Sequence, residues 1–585
     1  MAVMRSERPS IELFLSPAGA EGQSLARGLG EAALVEAAVD GDDHAHPHSH
    51  FDPGGDPNSL RDQGWGVIAP AGDVGDRLLA LARPLIERRT ADQDAEVPVY
   101  RVPPDMTAAQ SVAWIDRQLA GNVMNAAVPG YLLVLGRPDQ ISFELQQVLG
   151  SAHHVGRLGF DAEAGTGSDA AAEAYEAYVD KLLRTERTPA SMPARAVYFT
   201  ARDGTPATEL ARRLLMQPCI ADAEQQRAAG WFATSEIAAI EEDDPTRAAD
   251  RLLAAAARPG VLFSCSHGAG ASRQGWGSPA EQRALQGALC LGRGRLLEAR
   301  MLARSPFVPG GVWLMFACFG AGTPAHSAYH PWLARLSQHG EHAEDLASVL
   351  ISLPGAGEPA FVAALPQAAL ANPDGPLAVI GHLDLAWSYG FHDIDKLSRG
   401  ERHRRFHELV AQLVRSSRVG LALSGSLARA RNQIRTELVI AADAEARGGQ
   451  MAPERRARLA HRWMVLQDLD GYIALGDPAA RMAISGASAR AHGGAAAAVE
   501  PAGPINVTSR DAIAASASPA TLSTAVIDAA GIQAAVHDLI AGSATLAELA
   551  GRYGVDPATV AEWRRVYTDA GLRAVSGLVA SSHRD

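Results

Sequence analysis

The feature that most constrains this chain is a repeated alternation of short apolar runs with amphipathic helical stretches. The runs are rich in β-branched and aromatic residues and too short for helices, which is typical of strands buried on both faces. Strands that alternate with helices form parallel sheets covered by helices, so we predict an α/β fold. The runs are GWGVIAPA, VPVYRVP and GYLLVLG between residues 64 and 136, then RAVYFTA, GVLFSCSHG, GVWLMFACFG and GPLAVIGHL between residues 195 and 383.

The alternation restarts once, which predicts two adjacent α/β units with mostly parallel sheets. We place the first unit over residues 60–190 and the second over 195–482, with periodic helical sequence at its end as an extension. Residues 485–523 are rich in Ala, Gly, Pro and Ser and can bury little apolar surface, so we predict a flexible linker. Residues 525–585 then form a small, separate all-α module.

The first 60 residues are predicted to be a poorly ordered lead-in, apart from the strand-like segment SIELFLS. Within HAHPHSH, the residues His44, His46, His48 and His50 alternate beside aspartates. Alternating histidines can bind a transition metal, but the surrounding Asp, Gly and Pro favour a solvated loop. We favour the loop and predict neither a metal site nor a cofactor.

Charge and cysteine content narrow the class of protein. The chain carries 53 basic and 66 acidic residues and a formal charge of −13, so neither nucleic acid nor an anionic membrane is the expected partner of the whole molecule. We find no secretory signal and no apolar run of the roughly 18 residues that a membrane span needs. The 4 cysteines form no C-x-x-C pair and are too few for a disulfide framework. We expect a reduced, cytoplasmic protein.

Two predicted strands end on reactive residues. His267 lies at the end of the strand in VLFSCSHGAG, and Cys318 lies at the end of the strand in GVWLMFACFGAGTP. The sequence between them is long enough for one crossover connection between neighbouring parallel strands. In open α/β sheets, active sites collect at the carboxyl ends of the strands. A thiol near an imidazole loses its proton more readily, and the thiolate is the competent nucleophile. We predict a catalytic pair; the alternative is that both are ordinary core residues, as we expect for Cys265 and Cys290.

Small residues follow both strand ends. Gly268 lets a substrate backbone come close, because glycine has no side chain. Its N–H, together with that of Cys318, can hold a developing oxyanion. The pattern therefore predicts a site that can hold an oxyanion next to a nucleophilic thiol.

The segments S-H-G and A-C-F-G, each after an apolar strand, resemble the caspase-like cysteine peptidases. Phe316 stands where caspases carry Gln, so the chain is not a caspase proper. The wider chain, over about 60–482, is most similar to the gingipain-type peptidases and their CHAT and separase relatives. The segments that carry this resemblance are YLLVLGRPDQISFELQ at 131–146, VGRLGFD at 155–161 and GYIALGDPAARM at 471–482.

The resemblance implies a caspase-like fold and cleavage after a chosen residue through an acyl-enzyme. It assigns Cys318 as nucleophile, His267 as acid/base, and Gly268 and Cys318 as oxyanion donors. It places no third acid. Gingipains are secreted, whereas this chain shows no signal, so digestion of cytosolic proteins must be restrained.

The sequence says little about which residue the enzyme prefers at the P1 position of its substrate. The strand after the cysteine carries Asp384 and Trp387 near its end, where an acid could receive a basic P1 side chain and the indole could form a wall. A helix-capping aspartate and a packed tryptophan are the alternative, and we favour it.

Residues 546–572 resemble a transposase-type helix-turn-helix, in which Gly554 makes the turn and Pro557 opens the second helix. Arg564 and Arg565 are its only clustered cations, whereas DNA-binding domains usually present a basic face. We expect this module to bind a protein partner or DNA.

These observations favour a cytoplasmic cysteine endopeptidase that acts on proteins or peptides and is regulated through its C-terminal module. The arrangement is compatible with a bacterial stress or defence effector. A catalytically inactive caspase-like scaffold or DNA-associated adaptor is one alternative. A thiol acyltransferase or hydrolase that is not a peptidase is another, although Cys318 lacks the G-x-S-x-G type of surroundings.

Overall fold

The computed structural model describes part of the chain, and the structural statements below concern that part. The His-rich loop, the predicted linker beyond residue 485 and the C-terminal module with Arg564 and Arg565 lie outside it. The described residues are 13–17, 55–119, 128–161, 167–190, 193–303, 305–338, 343–355, 357–392, 402–446 and 452–485.

The described residues alternate between strands and helices. The strands are β1 Leu15–Pro17, β2 Trp65–Pro70, β3 Val99–Val102, β4 Tyr131–Leu135, β5 His154–Leu158, β6 Ala194–Ala201, β7 Thr234–Glu242, β8 Val261–Cys265, β9 His267–Gly270, β10 Leu289–Gly292, β11 Arg295–Leu297, β12 Val312–Phe316, β13 Gly322–Thr323, β14 Phe361–Val362, β15 Ala378–His382 and β16 Tyr472–Gly476.

Several helices begin at a side chain that caps the first turn, such as Thr107, Ser142 and Ser278. A π-helical turn at Arg212–Met216 joins the helices Pro206–Ala211 and Gln217–Ala228, and a 3-10 turn forms at Ser388–Gly390. The α-helices are α1 Leu60–Gln63, α2 Asp73–Gln93, α3 Ala108–Gln118, α4 Phe143–Leu149, α5 Gly167–Arg187, α6 Pro206–Ala211, α7 Gln217–Ala228, α8 Pro245–Ala256, α9 Pro279–Leu285, α10 Ala299–Leu302, α11 His330–Gln338, α12 Ala343–Ser352, α13 Ala364–Ala371, α14 Arg404–Val414, α15 Val419–Ala446 and α16 Pro453–Asp470.

A 10-stranded sheet forms the centre of the fold, in the order β3-β2-β4-β5-β16-β15-β12-β8-β6-β7. The strands from β3 to β16 run parallel to one another, and so do those from β15 to β7. Among the described strands of this sheet, only β16 and β15 pair antiparallel. The two predicted α/β units are thus neighbouring halves of one sheet, which confirms the predicted fold class.

β16 comes late in the sequence, yet its direction is that of the first unit. It runs parallel to β5, with Ala474 opposite Gly156, and antiparallel to β15, with Tyr472 opposite His382. A side chain at Gly156 would collide with the carbonyl oxygen of Gly476, so the two strands need glycine to approach this closely. The helical extension therefore ends in the strand that joins the two halves.

A second sheet, in the order β1-β9-β10-β11, adjoins the carboxyl end of β8. β9 follows β8 after Ser266 alone, and β10 pairs antiparallel with β9. On the other edge of β9 lies β1, parallel to it, with Leu15 opposite Gly268 and Pro17 opposite Gly270. The strand-like segment of the lead-in thus pairs with the chain around His267.

A buried ion cluster ties the first unit to the turn after β16. Arg89 donates to Asp477 Oδ2 from Nε at 3.0 Å and from Nη2 at 2.6 Å, and both of its terminal nitrogens also donate to Glu186. Trp65 Nε1 donates to the other oxygen of Asp477 at 2.9 Å. Because Arg89 and Asp477 are 1% and 0% exposed, neither charge can turn to water if its partner is lost.

We expect Asp477→Asn to lower the free energy of unfolding by about 2–3 kcal/mol. This is less than the 3–5 kcal/mol typical of a broken buried pair, because Glu186 still faces Arg89. Denaturant unfolding measures the change. Asp94→Asn is the matched control, since the Asp94–Arg61 pair is exposed at 3.7 Å and is expected to contribute less than about 1 kcal/mol. Equal losses in the two variants would contradict a stabilising role for the cluster.

Candidate active site

His267 and Cys318 follow two neighbouring parallel strands at the same edge of the central sheet. β8 and β12 pair so that Cys265 lies opposite Phe316, which puts the two strand ends level. Each predicted residue comes two positions later. The two residues therefore lie just beyond adjacent strand ends, and both side chains are fully buried; their catalytic pairing stays a prediction.

The His267 imidazole is held from one side. Its Nε2 lies 2.8 Å from Thr205 Oγ1 and 3.6 Å from Asp203 Oδ2. Since the Thr205 hydroxyl donates its proton to Asp203 Oδ1 at 2.8 Å, its oxygen accepts from Nε2–H of the histidine. Nδ1 then carries the lone pair, and it forms no hydrogen bond with the described residues.

Asp203 is a candidate site residue that the sequence analysis did not identify. It follows β6, the neighbour of β8, and so lies at the same sheet edge as His267. Its Oδ1 accepts from Thr205 N, Thr205 Oγ1 and Thr208 Oγ1, which fixes the carboxylate. The sequence feature that could have identified it is an acidic residue just beyond a third apolar strand, in FTARDGTPAT.

The surroundings of His267 set its protonation. Burial lowers the pKa of His267, and the Asp203 carboxylate and the Phe14 backbone oppose this shift. Desolvation disfavours the imidazolium, whereas a nearby negative charge favours it. The neutral form is therefore the resting form, with Asp203 ready to stabilise the cation when a proton arrives.

The Cys318 thiol is enclosed by the loop that follows β15. Sγ accepts from Ala386 N at 3.2 Å and lies 3.6 Å from Ala386 O. Burial raises the pKa of Cys318 well above its usual value, although the contacts with the Ala386 and Phe14 backbones oppose the shift. The next residue, Phe319, has a φ of 54°, in the left-handed region that costs a bulky residue energy. Its N–H donates to Asp384 O at 2.7 Å, which holds this conformation.

Two backbone N–H groups converge on one carbonyl oxygen. Gly268 N donates to Phe14 O at 2.7 Å, and Cys318 N donates to the same oxygen at 3.3 Å. Gly268 lies so close to Cys318 that an added Cβ would collide with the carbonyl oxygen of Cys318. The two residues predicted as oxyanion donors therefore point their N–H groups at a common point, where the chain's own Phe14 supplies the acceptor.

Asp384 and Trp387 lie after β15, in the same loop as Ala386, and both are buried. Burial raises the pKa of Asp384 to about 7, against the effect of its hydrogen bonds. Its carboxylate accepts from Ser327 Oγ, Ala328 N and Leu385 N at 2.8–3.0 Å. The Trp387 indole packs against Tyr329 and Trp332. Trp387 is thus packed, whereas Asp384 binds residues just before α11 and is the N-cap of no helix in the described part of the chain. The substrate-binding roles of both stay predictions.

Asp468 is a second residue that the sequence analysis missed. It lies at the end of α16 and accepts from Trp387 N through Oδ1 and from Gly390 N through Oδ2, both at 2.8 Å. Burial raises the pKa of its carboxyl to about 8. The late helical extension thus holds the loop that faces Cys318, a long-range contact that no local pattern indicates.

The other three cysteines, Cys219, Cys265 and Cys290, are buried and unpaired in disulfides. Burial raises the pKa of Cys265, and it raises that of Cys290 to about 12. Among the described residues, no group of three or more metal-binding side chains is present. In the same part of the chain, no helix is long and apolar enough to cross a bilayer.

We expect Asp203→Asn to shift the pH profile of peptide hydrolysis. Removing the carboxylate removes a charge that raises the pKa of His267, so that pKa falls further. If neutral His267 acts as the base, the acidic limb of kcat/KM moves to lower pH, and the rate at pH 7 falls about tenfold as the imidazolium loses its support. The pH dependence of kcat/KM, measured for the wild type and for Asp203→Asn, shows the shift. Asp243→Asn, at an exposed carboxylate paired with Arg202, should leave the profile unchanged; an unshifted Asp203→Asn profile would exclude Asp203 from the site.

No protein-family model matches the chain, and no curated protein matches it significantly. Among solved structures, the chain is similar to one described as a protease, with 13% identity and a TM-score of 0.41 over 72% of this chain and 78% of that chain. It is also similar to the Arg-specific cysteine proteinase gingipain R, with 12% identity and a TM-score of 0.40 over 72% of this chain and 78% of that one. Similarity at this level assigns neither an activity nor a substrate.

Proposed function

We propose that this chain is a cysteine endopeptidase of the caspase-like type, with Cys318 as nucleophile and His267 as acid/base. One observation carries the proposal: the N–H of Cys318 itself and that of Gly268, the residue directly after His267, donate to the same carbonyl oxygen. Two preorganised N–H groups next to a nucleophile are what acyl transfer requires. The bond from Gly268 N also belongs to the pairing of β1 with β9, and the additional bond from Cys318 N to the same oxygen lies outside that pairing.

The reaction follows from these positions. Cys318 passes its proton to His267, and the sulfur attacks the scissile carbonyl carbon. The N–H groups of Gly268 and Cys318 stabilise the oxyanion of the tetrahedral intermediate. His267 then gives its proton to the leaving amine, which leaves a thioester on Cys318. Water, deprotonated by His267, hydrolyses the thioester and regenerates the thiol.

Thr205 and Asp203 serve this cycle as positioning residues. By accepting from Nε2–H, Thr205 keeps Nδ1 as the base of the neutral imidazole. Asp203, 3.6 Å from Nε2, stabilises the imidazolium that forms when the thiol loses its proton. Together they supply the orienting group that the sequence alone left unassigned.

The cleft supports a protein or peptide substrate. By the cleft we mean the space between the backbone of Ala386 and Trp387 on one side and β9 on the other, where residues 13–17 lie, so an extended backbone can pair with both sides. We further propose that the enzyme acts in the cytoplasm and that its C-terminal module recruits a protein partner or DNA. A role as a bacterial stress or defence effector is part of this proposal and rests on the sequence alone.

An electrophilic peptide probe tests the function. We expect the probe to add its mass once to each wild-type chain, on Cys318 in a peptide map, at a rate set by the departure of residues 13–17, because Cys318 has no exposed surface while they are in place. Cys318→Ala should take up no probe, whereas Cys265→Ala, at a buried cysteine two residues before His267, should react like the wild type. A chain in which Cys318 stays unmodified and no peptide is hydrolysed would be an inactive scaffold.

A further inference from the structure

Residues 13–17 of the chain lie in the cleft as a continuous extended strand. On one side of the Phe14 carbonyl, Leu13 bridges antiparallel to Trp387, and Phe14 N donates to Ala386 O at 3.2 Å. On the other side, Leu15–Pro17 pairs parallel with β9. The carbonyl between them accepts from Gly268 N and Cys318 N. A peptide held on both sides of a carbonyl in this way has the backbone contacts of a bound substrate.

The Phe14 side chain fills a pocket of aromatic rings. Its ring meets that of Phe316 edge to face at 4.8 Å between centroids, that of Phe391 at 6.2 Å and that of His267 at 5.7 Å. Phe14 and Phe316 are fully buried, and Phe391 nearly so. Edge-to-face rings at these distances attract one another. A charged side chain placed here would lose its water without gaining a counter-ion from these three rings.

We propose that the Phe14–Leu15 bond is the first substrate of this peptidase, and that its P1 pocket, formed by Phe316, Phe391 and His267, takes a large aromatic side chain. This inference rests on the proposed function and names its substrate class. It differs from the basic P1 residue that Asp384 suggested in the sequence. Phe316 forms the wall of the pocket two residues before the nucleophile.

The cleavage step transfers the acyl group of Phe14 from the Leu15 nitrogen to the Cys318 sulfur. Cys318 Sγ bonds to the Phe14 carbonyl carbon, its proton moves to His267, and the C–N bond to Leu15 breaks as His267 protonates the new amine. Residues 1–14 remain as a thioester on Cys318. Water then hydrolyses the thioester, which releases Phe14 as a carboxylate and restores the thiol.

Residues 13–17 also explain how cleavage of other proteins is prevented before this step. Leu13, Phe14 and Leu15 are fully buried in the cleft, and Cys318 beneath them has no exposed surface. Burial also favours the neutral thiol and the neutral imidazole over the charged pair. No other peptide can reach the oxyanion donors while the Phe14 carbonyl occupies them, so turnover of other proteins begins only after the segment leaves.

Incubation of the full-length chain tests the proposal. We expect intact mass and N-terminal sequencing to reveal loss of residues 1–14 and a new terminus at Leu15, at a rate independent of protein concentration. Cys318→Ala should stay uncut. Phe14→Tyr should be processed within a fewfold of the wild type, whereas Phe14→Ala and Phe14→Arg should be at least about 100-fold slower, because they leave the pocket empty or bury a charge.

Two peptides separate failure of this inference from failure of the proposed function. One has the sequence SIELFLSPA of residues 10–18, and the other has arginine in place of its phenylalanine. Preferred cleavage of the phenylalanine peptide by the processed enzyme supports the aromatic pocket. Preference for arginine, or an uncut Phe14–Leu15 bond in a chain that hydrolyses the peptides, overturns the inference and leaves the peptidase intact. An enzyme that cuts neither peptide and whose Cys318 takes up no probe overturns both.

Discussion

Cys318→Ala is expected to lower kcat/KM for peptide hydrolysis by at least about 10^4-fold while the chain stays folded. The substitution removes the nucleophile, and neither the oxyanion donors nor His267 can replace it. It removes a single buried sulfur, so the loss of stability should be about 1 kcal/mol. Initial rates with a phenylalanine peptide and a thermal melt measure the two effects.

Cys290→Ala is the control that tests whether another cysteine is the nucleophile. Cys290 lies opposite His267 in the pairing of β10 with β9, which makes it a rival thiol beside the histidine in the sheet. It is buried, and burial raises its pKa to about 12. We expect Cys290→Ala to retain activity. An inactive Cys290→Ala together with an active Cys318→Ala would show that the nucleophile is Cys290.

Gly268→Ala should cost about 10^3-fold in kcat/KM, although it adds only one methyl group. The added Cβ would meet backbone atoms of Cys318, with its nitrogen at 3.0 Å and its carbonyl carbon at 2.8 Å, and backbone cannot yield as a flexible side chain can. The collision would push the two oxyanion donors apart, and loss of one such donor costs about 10^2–10^3-fold. Overpacking should also lower stability by about 1–3 kcal/mol.

Gly425→Ala is the matched control for this substitution. Gly425 lies within helix α15, and an added Cβ there would meet only ordinary contacts at 3.6 Å or more. Alanine is favoured over glycine in helices by about 1 kcal/mol, so this variant should be as active as the wild type and at least as stable. Full activity of Gly268→Ala at wild-type stability would contradict the close approach of the two strand ends.

The candidate site was partly visible in the sequence because some of its signals are local. His267 and Cys318 each end an apolar run, and the placement of strand ends along a parallel sheet is general, so the pairing of the two could be predicted. Asp203 follows such a run as well, but acids after strands are common and only its contacts with Thr205 and His267 distinguish it. Asp468 lies on a helix, and no sequence pattern around it indicates a role near the site.

What the sequence by itself determined is the α/β class and the candidate pair at two strand ends, since both follow from periodicity over a few residues. The tertiary structure decided three other matters. β16 inserts between β5 and β15 and reverses the sheet direction there, Asp468 shapes the loop facing Cys318, and residues 13–17 enter the cleft. Each depends on contacts between segments that are distant in the sequence, by 81 residues for Asp468 and Trp387 and by more for residues 13–17 and β9. Such contacts are selected by shape and by the pairing of buried backbone groups, and neither leaves a periodic pattern in either segment.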